Sequence, residues 1–145
     1  MEKTNESKIR HLEMIQGVIS RMAGNLFYLK GWSITLIAAL FALAAKDSDP
    51  KYILFAYFPV LVFWILDGYF LSQERLFRAL YEDVRKLDEK DIDFSMSTKA
   101  YKSDLRNHWF SAMFSTTLLW FYLVLIFVML FIMIALLQTT TPSGA

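Results

Sequence analysis

Two ionisable residues interrupt apolar segments of this sequence and are its first candidates for chemistry. Lys30 lies 16 residues before Lys46, and Asp67 lies 16 residues after Lys51. In an antiparallel helical hairpin both side chains lie at one depth, about 24 Å from the turn. The equal spacing predicts an ion pair that fixes the register of the hairpin. The functional alternative is a polar ring or conduction element, because ionisable groups inside membranes often mark ion pathways.

Other residues capable of chemistry are few. The sequence has two histidines, His11 and His108, and no cysteine, which excludes disulfides and thiolate sites. It contains no HExxH, Walker, GxGxxG or GxSxG motif. We expect both histidines at the surface, and the acidic residues of 88–93 in a solvated linker, because a calcium loop needs a glycine and alternating ligands. The sequence therefore predicts no enzyme, no metal and no cofactor.

Three apolar blocks hold these residues. They are 26–45, 52–71 and 110–137, in a chain of 145 residues that is 56% hydrophobic. Because about 20 apolar residues cross a bilayer core, the blocks predict three transmembrane helices. The third is longer than it needs to be and should tilt or extend beyond the bilayer. The net charge of +1 gives no reason to expect a nucleic-acid partner.

The distribution of lysine and arginine predicts the orientation. There are five in residues 1–30, two in 46–51, eight in 72–109 and none in 138–145. The N-terminus and the 72–109 segment are therefore expected in the cytoplasm of a bacterial cell, with the spans in its inner membrane. A cleaved signal peptide is disfavoured because three glutamates precede the first block, whereas a secretory n-region is short and basic.

Apolar stripes also run through the polar segments. One recurs every three or four positions and predicts an amphipathic helix over residues 4–25. This helix either lies on the membrane surface or extends span one and packs on a partner helix. Its mixture of acidic and basic residues favours the packed placement. A second stripe, along 71–90, extends span two. These helices look too poor in apolar residues for a core of their own, so we expect them to pack against another copy. The predicted assembly stripe is Leu12, Ile19, Phe77, Leu80 and Val84.

Small residues on span one predict close helix packing. Gly31, Thr35, Ala38 and Ala42 share one face, and such faces let helices approach closely in lipid. No span carries a polar stripe from end to end, which is compatible with a hydrophobic constriction that gates by dewetting. The expected fold is a single all-α membrane domain, 1–145, with three transmembrane helices, an N-terminal amphipathic helix and a cytoplasmic helical extension between spans two and three.

A resemblance to a known family covers residues 14–85. Its most specific pieces are 30–32 (KGW), 63–67 (FWILD) and 73–78 (QERLFR). The chain resembles the RipA-type family of small bacterial membrane proteins, described as octameric. Proteins of this kind look similar to ring-activated antiphage immune proteins. The resemblance implies that an oligomeric phage protein triggers assembly into membrane pores.

The resulting hypothesis is a homo-oligomeric inner-membrane protein that acts as a pore-forming or membrane-perturbing effector of antiphage defence. Its expected partners are other copies of itself, the lipid bilayer and an oligomeric phage protein as trigger. The alternatives are a non-catalytic scaffold or accessory subunit of a membrane complex, and a small housekeeping channel. Genomic neighbours would separate defence from housekeeping.

Overall fold

The structure, a computed structural model, is all-helical over the part of the chain that it describes, residues 2–47 and 51–140. This confirms the all-helical part of the predicted fold class. Three single-turn 3-10 helices between the second and third α-helices replace part of the expected linker. The α-helices are α1 (Glu2–Asp47), α2 (Lys51–Lys86), α3 (Trp109–Met113) and α4 (Thr116–Thr140).

Three of these helices are long and apolar enough to cross a membrane. The candidate spans lie within Glu6–Lys46, Leu54–Lys86 and Thr116–Ala135. At most 22% of the most apolar window of each is buried inside the chain. A helix that is apolar on all sides needs either a protein core or lipid around it. Since a single copy covers so little of these helices, most of their apolar surface faces outward.

The core between the three spans, here called the span core, is small. A tight polar turn was predicted at 46–51, but residues 48–50 lie outside the described residues. The antiparallel hairpin itself is present, because α1 and α2 pack side by side along their length. The buried members of the span core are Ile37, Ala56, Val60, Leu118, Tyr122 and Met129.

Both hairpin helices continue past their apolar spans without a break. Residues 4–25 and the first span form one helix, α1, and α2 runs on from the second span to Lys86. Ile15 and Ile19 of α1 pack there against Leu80 and Val84 of α2, each of the four less than 10% exposed. Together with Ile92 these residues form a second buried cluster, here called the extension core.

The predicted assembly stripe lies in and against this extension core. Leu12 and Phe77 are half-buried against it, so all five stripe residues pack within one copy. The expectation that a single chain leaves the stripe uncovered is therefore wrong. The reason is that the segment after α2 folds back over the helix pair and adds Ile92, Met96 and Tyr101 to the core.

The third apolar block is divided into two helices. The sequence predicted one span over 110–137, but α3 ends at Met113 and Phe114 leaves the helix with φ −94° and ψ 19°. The carbonyl of Ser115 accepts the N–H of Leu119 at 2.9 Å, so Ser115 is the N-cap residue of α4. Its hydroxyl has no hydrogen-bond partner among the described residues, so the side chain does not cap the first N–H groups of the helix. The continuous helix predicted over 110–137 is therefore interrupted, and the candidate span within it begins at Thr116.

The short helix α3 packs closely on α2. A Cβ placed on Gly68 would clash with the side chain of Met113 and lie 3.2 Å from its Cα, so only glycine permits this approach. Two indoles fasten the contact: Trp64 Nε1 donates to the carbonyl of Met113 at 3.0 Å. Trp109 Nε1 donates to the carbonyl of Ile65 at 3.2 Å. This packing positions the start of α4 beside α2.

Candidate functional site

The carboxylate of Asp67 is fully buried where the three long helices meet. Lys30 of α1 donates from Nζ to Asp67 Oδ2 at 2.8 Å, as the equal spacing from the turn predicts. The hydroxyl of Tyr122 in α4 donates to the same oxygen at 2.9 Å. One carboxylate oxygen therefore connects all three helices, and we call these three residues the carboxylate clamp.

The neighbours of the clamp hold its two donors in place. Tyr122 is itself fully buried, and its ring stacks on Trp64 at a centroid distance of 5.6 Å and an interplanar angle of 20°. The Lys30 ammonium lies 5.6 Å from the centroid of the Phe121 ring, where the ring face attracts a cation. The side chain of Lys30 is 24% exposed, so the clamp has one route to the outside.

The clamp places a fully buried carboxylate in an ion pair within apolar surroundings. Burying an ion pair is costly unless the remaining lone pairs find donors. Tyr122 supplies one such donor, but the second oxygen, Asp67 Oδ1, is buried without a hydrogen-bond partner among the described residues. Asp67 Oδ1 is therefore the one acceptor of this carboxylate that the described residues leave unsatisfied. The positive charge of Lys30 would repel a second cation near Asp67, which favours a structural role for the clamp.

Sequence reasoning missed Tyr122. The available signal was a hydroxyl inside an apolar span, since a buried tyrosine usually finds a hydrogen-bond partner. The partner itself could not be inferred, because α4 has no charged residue whose spacing relates it to the hairpin.

The predicted small-residue face of span one is not used between α1 and α2. Gly31, Thr35, Ala38 and Ala42 are all exposed, whereas Ile37 on the opposite side enters the span core. A Cβ on Gly31 would meet nothing within 4 Å. The face is therefore open in a single copy.

The two histidines differ from each other. His108 is exposed, as expected, but the expectation of a surface position for His11 is wrong because its side chain is fully buried. The Phe94 ring meets it edge-on at 5.5 Å, and Phe94 adopts φ 54° in the segment that folds back over α1. Neither ring nitrogen of His11 has a hydrogen-bond partner in the described part of the chain. Over those same residues no three histidine, aspartate or glutamate side chains gather as metal ligands would.

Replacing His11 with leucine is expected to stabilise the protein by about 1 kcal/mol, because a buried polar group without a partner costs about 1–3 kcal/mol. The matched control is His108→Leu, whose exposed position should change the free energy of unfolding by less than about 0.5 kcal/mol. Denaturant unfolding of the purified protein in detergent measures both. A His11→Leu variant less stable than the parent would mean that the ring makes a polar contact worth keeping.

The segments 30–32 and 63–67, which carry the resemblance to the RipA-type family, contain Lys30 and Asp67 of the clamp and Gly31 of the open face. That resemblance stays a prediction. No family model, no curated protein and no solved structure matches this chain.

Proposed function

We propose that this chain is a homo-oligomeric protein of the bacterial inner membrane whose assembled form perforates or perturbs the bilayer as an effector of antiphage defence. The observation that carries the proposal is the outward apolar surface of α1, α2 and α4, of which one copy covers little. The resemblance to ring-activated immune proteins supports the defence role.

Self-association is supported by the open face of α1. Gly31 is flanked by Phe27 and Trp32, which are 77% and 67% exposed, so a shallow groove runs between large side chains. Small residues beside large ones let a second helix approach closely, and in lipid such packing drives association. Identical chains usually close by cyclic symmetry, because one repeated interface then satisfies every copy.

A closed resting state is supported by the carboxylate clamp. Lys30 and Asp67, the two charged residues that the sequence places inside apolar blocks, neutralise each other. A ring of such copies would carry an apolar lumen, which excludes ions by dewetting until it widens. The trigger would act on residues 4–25 of α1 and on the part of α2 beyond its span, because each of these segments continues into a span as one unbroken helix. An oligomeric phage protein is the trigger that the resemblance suggests.

The second candidate is a non-conducting scaffold, and the clamp also favours it. A carboxylate that is buried and bonded by two donors from different helices is suited to hold a fixed arrangement. A scaffold would assemble without conducting. A small housekeeping channel is the third candidate and would conduct without a phage trigger.

The test joins assembly, conductance and toxicity. The wild-type chain is expected to be an oligomer by mass measurement in native lipid particles, and its induction with the trigger should depolarise cells. The variant Gly31→Leu/Ala38→Leu fills the open face and should abolish assembly and toxicity together. Ile34→Leu is the control: it changes a residue that is 50% exposed on the same helix without adding volume, and it should change neither assembly nor toxicity.

Other results would point elsewhere. A monomeric wild-type protein would contradict self-association. A stable oligomer that stays silent in planar bilayers with its trigger present would instead support the scaffold.

The topology is expected to have the N-terminus and the 72–109 segment in the cytoplasm and the C-terminus in the periplasm. The reason is the lysine and arginine count of five, two, eight and zero along the chain. Reporter fusions after Asp88 and after Ala145 test it: a cytoplasm-active reporter should work only at Asp88. Activity of that reporter at Ala145 would contradict three spans.

A further inference from the structure

A polar cavity of about 710 Å³ lies beside the start of α4, outside the carboxylate clamp. Its volume is in the range of small-molecule binding sites. Its lining includes arginines from α2 and from the segment before α3. It also includes residues with hydroxyl groups from α3, from the break after it and from the first position of α4. Together these residues are Arg75, Arg78, Arg106, Ser111, Ser115 and Thr116.

One of the three arginines that line this cavity has no carboxylate partner. Arg78 is paired with Glu74 at 2.7 Å, and Arg106 lies 3.9 Å from Asp104. Arg75 instead donates from Nη1 to the backbone carbonyl of Arg106 at 2.7 Å. No carboxylate among the described residues lies within ion-pair distance of Arg75, so its charge is not neutralised. An oxyanion would gain a charge-assisted hydrogen bond from it.

The break before α4 adds hydrogen-bond donors. Ser115 Oγ is buried and has no hydrogen-bond partner among the described residues, although it lines the cavity. It stands at the N-terminus of a 25-residue helix, whose first N–H groups lack intrahelical acceptors and whose dipole favours an anion. Because the Ser115 hydroxyl itself is buried, the groups that face the cavity are the unneutralised guanidinium and the helix N-terminus.

The acidic residues of the lining restrict the ligand. Glu82 is paired with Arg85 at 2.6 Å, and Asp104 Oδ1 accepts the backbone N–H of Arg106 at 2.9 Å. Burial raises the pKa of Tyr101, and a hydrogen bond to the Asp83 carboxylate raises it further, so the hydroxyl stays protonated against Asp83. A multiply charged anion would be repelled by these carboxylates. A phosphate that carries a neighbouring ammonium group would not.

The cavity opens beside apolar surface. Phe114 lines it and is 60% exposed, and Phe110 one turn earlier is 63% exposed. The apolar stretch of α4 begins at Thr116, which also lines the cavity. A ligand seated here would have its polar part against the arginines and could lay hydrocarbon against these two rings.

We propose that this cavity binds the phosphate of a zwitterionic membrane phospholipid. The phosphate is held by Arg75, Arg106 and the first backbone N–H groups of α4. The ammonium group faces Asp83 and Asp104. This site is independent of whether the assembled protein conducts, and a failure of the pore proposal leaves it in place.

Binding can be measured on the full chain after delipidation in detergent. The probes are a short-chain phosphatidylethanolamine, the diacylglycerol with the same acyl chains, and inorganic phosphate. Native mass spectrometry counts bound lipid, and hydrogen exchange reports protection at residues 115–119. Phosphatidylethanolamine should bind saturably and protect these amides, whereas the other two probes should bind at least about tenfold more weakly, since charge-assisted hydrogen bonds and buried acyl surface both contribute.

Three variants test the residues. Arg75→Gln keeps a donor for the Arg106 carbonyl but loses the charge, and should weaken binding about tenfold. Arg106→Gln changes an exposed side chain with no strong partner to lose, so it tests the site even if Arg75→Gln misfolds, and it should weaken binding several-fold. Ser115→Ala removes a hydroxyl that is buried away from the ligand and should change binding little. Arg10→Gln is the charge-matched control, because Arg10 is exposed, pairs with Glu6 and does not line the cavity. It should have no effect on binding.

Three outcomes would overturn the proposal. Equal binding of diacylglycerol would show that hydrocarbon alone is recognised. Inorganic phosphate that protects residues 115–119 as well as the lipid does would assign the site to a soluble phosphate. An Arg10→Gln effect as large as that of Arg106→Gln would show that only net charge matters.

Discussion

Lys30→Ala is expected to lower the free energy of unfolding by about 3–5 kcal/mol, the usual cost of removing one partner of a buried ion pair. An exposed pair at the membrane boundary would be worth only about 0–1 kcal/mol. The burial of Asp67 decides between these limits, because its side chain has no exposed surface and its charge would be left with the Tyr122 hydroxyl alone. Unfolding in mixed detergent micelles measures the loss.

A double-mutant cycle isolates the pair from its surroundings. Lys30→Met combined with Asp67→Leu should recover most of the stability lost in Lys30→Met alone, because apolar residues of similar volume remove the unpaired charge. Tyr122→Phe removes only the hydrogen bond from the third residue of the clamp. It should lower the free energy of unfolding by about 0.6 kcal/mol, typical of one hydrogen bond between membrane helices. Strict additivity of the two single variants would mean that Lys30 and Asp67 do not interact.

Leu80→Ala is expected to destabilise the extension core by about 2–5 kcal/mol, through lost burial and the cavity left behind. Leu80 is 6% exposed and packs among Ile15, Ile19 and Val84, so no solvent can fill the space. Leu87→Ala is the matched control, because Leu87 lies just past the end of α2 and is 41% exposed. Hydrogen exchange along residues 8–22 and 76–86 measures the opening of the core, and the spans should stay protected.

The outcome also bears on assembly. Because Leu80 and Val84 are covered within one copy, charged substitutions there would break an oligomer by collapsing the extension core and not by removing a direct contact between copies. If Leu80→Ala leaves exchange in α1 as slow as Leu87→Ala does, the two helical extensions do not support each other. Filling the open face of α1, by contrast, should prevent assembly without loosening the core.

The helical architecture and the Lys30–Asp67 pair of the clamp could be predicted from residue spacing alone. Apolar blocks of sufficient length predict spanning helices, because every backbone polar group in lipid must be bonded within its own segment. The two charges pair because only three residues separate α1 from α2, which forces antiparallel packing, and a constant rise of about 1.5 Å per residue then converts equal spacing into equal depth. These features depend on local geometry, which residue spacing encodes directly.

What covers each helix face depends on contacts between residues that are distant in the sequence. Periodicity marks Leu12 and Leu80 as apolar positions, but it does not say whether a second copy or the chain's own returning segment packs on them. The burial of His11 and the contribution of Tyr122 to the clamp depend on the same long-range placement. The break at Phe114 and Ser115 follows from the packing of α3 on Gly68, a close approach between residues 45 positions apart that no local pattern encodes.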